Sequence, residues 1–155
     1  MAKLFGTLVG AAYAGGAVAK ATSSAHERGT DHILRRDRIE LTAAPVNDQV
    51  SLLVVPSNTV LDPLECAVHY DALGASVTLN AGIAGSDAAL FSAHAASSAG
   101  NVSLFKSVDI ANWFKPLWQV LGLAADPGGN IELLLTIKGA AATGTVVWSL
   151  KGQSR

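Results

Sequence analysis

The sequence has one cysteine, little charge and no long apolar run. Because Cys66 stands alone, neither an intrachain disulfide nor a cysteine-based zinc cage can form. In the run 64–70 it reads as a small buried hydrophobe. Charged residues make up 15% of the chain, against roughly 25% in an average soluble domain. The 11 basic and 12 acidic residues nearly cancel to a net charge of -1. Nothing in that balance draws the chain to a phosphate backbone or an anionic lipid, so neither nucleic acid nor membrane is expected as a partner.

Chemistry-bearing patterns are equally sparse. The four histidines, at positions 26, 32, 69 and 94, lack the close spacing that puts two metal ligands on one helix face. There is no Gly-x-Ser-x-Gly elbow, and Gly85-Ser86-Asp87 reads as a turn. No Gly-rich phosphate loop ends in Lys-Ser or Lys-Thr. The acidic residues fall mostly at expected turns and strand ends, where carboxylates cap and shape the backbone. The expectation is a protein without catalytic residues, cofactor or metal.

What is present is apolar: 50% of the residues are hydrophobic. A chain of 155 residues allows one core plus an appendage. The expected division is an N-terminal arm over 1–32 and a β-sandwich over 33–155. Lys3 followed by Leu4, Phe5, Leu8 and Val9 partly resembles a secretory signal, but the stretch is rich in Gly and Ala and short before Lys20 for a membrane span. Gly10, Gly15 and Gly16 each weaken a helix by about 1 kcal/mol relative to Ala. The segment therefore reads as an arm whose bulky groups, Tyr13 included, are buried against another subunit.

The segment 26–38 is the most charged, and its Arg35, Arg36 and Arg38 are diluted by Glu27, Asp31 and Asp37. It reads as a solvated linker or the start of an edge strand with intersubunit contacts. From Ile39 onward, short apolar runs alternate with turn residues, giving roughly seven or eight strands of an all-β antiparallel sandwich. Leu64, Cys66, Val68 and Tyr70 form one apolar face, with His69 on the other. Val77, Leu79, Ala81 and Ile83 form a second. The runs 131–137 and 145–150 read as a closing antiparallel hairpin.

Two segments stay open at this level. The stretch 87–96 fits a strand or a short helix equally. Trp113, Phe114 and Trp118 surround Pro116, where aromatics either plug the end of a sandwich or anchor a protein interface. The candidate interface comprises Leu4, Phe5, Leu8, Tyr13, Arg35, Arg36, Trp113, Phe114 and Trp118.

From Val50 the chain resembles the small structural proteins of tailed bacteriophages known as capsid decoration or cement proteins. The residues carrying the likeness are the run 50–62 ending in Val60-Leu61-Asp62, the small-residue run 71–87 with Gly82 and Gly85, and Gly144-Thr145-Val146-Val147-Trp148. The long arm departs from simpler members. The resemblance implies a jelly-roll-like sandwich on the outer capsid surface of a virion, stabilising the head by bridging major capsid protein subunits as a dimer or trimer. Two other roles remain open: a glycan- or receptor-binding head using Trp113 and Trp118, and a tail or neck connector subunit.

Overall fold

A computed structural model describes residues 3–5 and 32–153. Ten strands occupy them: β1 Lys3–Phe5, β2 His32–Ala44, β3 Gln49–Pro56, β4 Val60–Leu61, β5 Ala67–Tyr70, β6 Thr78–Ile83, β7 Ser86–Ala95, β8 Gly100–Ser103, β9 Asn130–Lys138 and β10 Ala142–Gln153. They build two sheets, one ordered β1-β3-β9-β6-β7 and the other β2-β10-β5-β8, with β4 pairing β10 at its end. When β1 and β4 are set aside, the remaining eight strands fall into the sheets as second-seventh-fourth-fifth and first-eighth-third-sixth. That arrangement is a jelly roll, two Greek keys wound into a sandwich. The all-β sandwich expected from alternation is the fold observed.

Alternation puts the core between the sheets. Val50, Leu79, Ala81, Leu133, Leu135, Ile137, Val146, Trp148 and Leu150 are all buried there. At β3 the period breaks: Ser51 pairs Leu134 and Leu53 pairs Leu133, leaving Leu52 without a partner in the ladder. A bulge of this kind bends its strand. Here it turns both Leu52 and Leu53 inward, so five consecutive residues of β3 are buried.

The two terminal runs are correctly read as strands but not as a hairpin. β9 belongs to one sheet and β10 to the other, so the segment between them crosses the sandwich. Gly139 makes the crossing possible: its φ is 80°, and a Cβ there would stand 2.1 Å from the Ser76 carbonyl oxygen. The hairpin within a sheet is instead β6–β7, with register shifts at Ala81. This settles 86–95 as strand, helped by the Asn80 side chain, whose Oδ1 accepts the Ala93 amide at 2.8 Å.

The charged segment enters the sandwich from His32 as β2, which among the described residues is an edge strand paired with β10 alone. Charge on an edge discourages indiscriminate sheet extension. Of the N-terminal region, β1 pairs in parallel with β3, Lys3 opposite Gln49 and Phe5 opposite Ser51. Leu4 thus has a backbone partner in its own chain, at Val50. Leu8 and Tyr13 lie outside the described residues.

Candidate interaction surface

The face between the sheets is taken up by the core, and the segment that closes one end of the sandwich carries exposed apolar groups. Between β8 and β9 the chain makes a 3-10 turn, Ile110–Asn112, and a single helical turn α1, Leu117–Val120. The Asp109 carboxylate starts the first by accepting the Ala111 amide at 2.8 Å. Pro116 precedes the second, supplying a fixed φ where no helical amide is needed. Leu117 is fully buried, and its amide donates to the Thr59 carbonyl oxygen at 2.8 Å.

These attachments set the three aromatics in different roles. Trp113 is half-buried, its ring edge-on to Phe105 with centroids 6.5 Å apart and its indole N–H donating to the Val108 carbonyl oxygen at 3.3 Å. Trp118 is also half-buried against the core, and its amide donates to the Ser57 carbonyl oxygen. Both tryptophans cover the interior, leaving less ring face for a sugar to stack on. Phe114 differs, at 56% exposed with a left-handed φ of 62°.

Beside Trp113 lies a groove of about 430 Å³, floored by Ala67, Asn101 and Ser103 on the outer face of β5 and β8 and walled by Pro63, Leu64, Val108 and Trp113. Trp118 does not line it. Leu64 is 76% exposed and Ile110 is 73% exposed. Ile110 leaves the wall two residues after Val108, and Phe114 follows Trp113 directly. Among residues 35–153, the three most exposed large apolar side chains therefore belong to the segments that wall this groove.

Leu64 corrects its expected place on the apolar face of a strand. β5 begins only at Ala67; Pro63 has no amide to give a ladder, and Asp62 captures the Leu64 amide at 3.0 Å in a side-chain turn. Leu64 is thereby aimed at solvent. Ile110 likewise carried no sequence signal, since its exposure comes from the turn that Asp109 nucleates.

Arg35 and Arg36 are not part of this rim. They sit on β2 opposite Leu150 and Ser149, Arg35 half-buried and Arg36 exposed. Three strand spacings separate β2 from β8 in that sheet, about 14 Å. Among the described residues, no group of three His, Cys, Asp or Glu side chains is placed to hold a metal ion. Cys66 is buried, with its thiol pushed up to about 11, first by burial. His69 faces outward, as its place in the alternation implies.

No protein-family model matches the chain, and no curated protein matches it. Two solved structures share the fold. A chain of the Cyanophage Pam1 capsid asymmetric unit superposes with a TM-score of 0.54 at 21% identity, covering 88% of this chain and 99% of that one. A chain in the capsid of Ralstonia phage GP4 gives 0.52 at 20% identity, covering 81% of this chain and 85% of that one. Both matched chains are of nearly this chain's length, and the likeness is one of fold.

Proposed function

We propose that the protein is a structural component of a bacteriophage virion, a decoration or cement protein that binds the outside of the head and stabilises it by bridging major capsid subunits. The observation that carries this reading is a jelly roll shared, over more than four fifths of the chain, with chains of similar length from two phage capsid structures. A second observation fits it. The rim around Leu64, Ile110 and Phe114 presents bulky apolar groups, the kind that anchor an interface when a partner excludes water from them. The weakly charged surface suits burial in an assembly.

In this reading the N-terminal arm extends the contact surface through Leu4, Phe5, Leu8 and Tyr13, and the chain acts as a dimer or trimer. Binding comes from buried area rather than chemistry. The test is to add purified protein to heads that lack it and to record particle heat resistance. The intact chain is expected to bind and to raise the temperature of DNA release. The double variant Ile110→Ser/Phe114→Ser, and separately a chain without residues 1–30, should fold and protect less. Full protection by both variants would overturn the reading, as would failure of the intact chain to bind any shell.

A further inference from the structure

The two sheets are fastened at one margin by a polar contact that the apolar core does not supply. His94 of β7 points across the sandwich to Tyr70 of β5, its Nε2 2.6 Å from the Tyr70 Oη. Its other ring nitrogen, Nδ1, is 2.8 Å from the Lys106 Nζ, just beyond β8. An ammonium can only donate, so Nδ1 must offer its lone pair and Nε2 must carry the hydrogen, which it gives to the Tyr70 oxygen. The chemistry of Lys106 thus fixes the tautomer. Gly100 leaves room for the tyrosine: a Cβ there would stand 3.1 Å from the hydroxyl oxygen.

Only a neutral imidazole satisfies this arrangement. A proton on Nδ1 removes the acceptor and sets two positive charges about 3 Å apart, with no carboxylate among the described residues acting on His94. The surrounding elements confirm the lack. Opposite His94 on β6 stands Leu79; β5 contributes Tyr70, ring centroids 5.7 Å away; and β7 itself contributes Phe91, at 6.0 Å. The nearest acid on β7, Asp87, is taken by Lys138 at 2.8 Å.

We propose that His94 is a proton-operated clasp between the two sheets: neutral, it joins Tyr70 to Lys106, and protonated, it releases Lys106 and loosens the margin formed by β7 and β8. In agreement, burial first and Lys106 second hold the His94 pKa below its ordinary value. A histidine so depressed in the folded state contributes stability that is complete above the unfolded value of about 6.5 and is lost as pH falls. The clasp is therefore shut at neutral pH and opened by acid. Lys106 also lines the groove beside Trp113, but the clasp closes within the single chain.

The test uses the isolated full chain, so its failure is distinct from failure of the virion reading. Histidine NMR titration should place His94 below an ordinary histidine, and Lys106→Met should move it upward. Amide exchange, corrected for its intrinsic pH dependence, should quicken at 90–95 and 100–103 between pH 7.5 and 5.0, by up to tenfold per pH unit from about 6.5 down to the folded-state titration, and not at β9. In His94→Gln that extra quickening should vanish. Equal titration of His94 with and without Lys106 would overturn the clasp, as would the same margin exchange in wild type and His94→Gln. Should His94→Gln fail to fold, the Lys106→Met comparison still decides.

Discussion

The indole N–H of Trp148 in one sheet donates to the backbone carbonyl oxygen of Leu52 in the other, at 2.9 Å and out of contact with solvent. The two features explain each other. Leu52 is the residue the bulge leaves out of the β3–β9 ladder, and a buried carbonyl without a partner is costly. Trp148 fills the core and satisfies it with the same side chain. Trp148→Phe keeps an aromatic ring but strands the carbonyl and leaves part of the indole volume empty. The expected loss is about 2–4 kcal/mol, read as a lower urea midpoint with an unchanged slope.

How far the sequence carries is visible at the same place. The alternation of Val146, Trp148 and Leu150 announces a strand with one buried face, and the structure has it. Which strand it faces is not announced. The runs containing Leu133 and Val146 look like a hairpin because they are adjacent and both alternate, yet the chain crosses between sheets at Gly139. Period-2 alternation encodes burial, while partner choice is settled by packing of the whole sandwich. The rim was half legible for a related reason. Phe114 stood out by composition, whereas Leu64 and Ile110 owe their exposure to turns made by Asp62 and Asp109. His94, Tyr70 and Lys106 are brought together from three elements, and no local pattern marks such a group.

Thr59 offers a test of polar satisfaction. Its backbone is used on both sides, the amide donating to Pro56 and the carbonyl accepting from Leu117. Its hydroxyl is fully buried without a hydrogen-bond partner. Thr59→Val keeps the branched shape and removes the orphan oxygen, so thermal and urea unfolding should show a gain of up to about 1 kcal/mol. A loss larger than about 1 kcal/mol would mean the hydroxyl has a partner in solution.

Cys66 should be silent toward thiol reagents while the protein is folded. Its Sγ lies between the backbone carbonyl and amide of Lys151, at 3.3 and 3.4 Å. With the thiol held up to about 11, its thiolate at pH 8 is about a hundredfold scarcer than for a free cysteine. A colorimetric thiol assay should count none in native protein and one per chain in denaturant. Rapid native labelling would show that the turn before β5 opens readily.

Phe114 sets local stability against recognition. A non-glycine residue in the left-handed region costs about 1–2 kcal/mol, while glycine costs roughly 0.5–1 kcal/mol in unfolded-chain freedom. With φ at 62° and the ring 56% exposed, little packing energy offsets the strain. Phe114→Gly should therefore stabilise the isolated protein by about 0.5–1 kcal/mol, whereas Phe114→Ala, which keeps the strain, should gain nothing. The same Phe114→Gly chain should bind shells more weakly if the exposed ring is an interface anchor. Greater stability with unchanged binding would remove Phe114 from the contact surface and leave Leu64 and Ile110 to carry it.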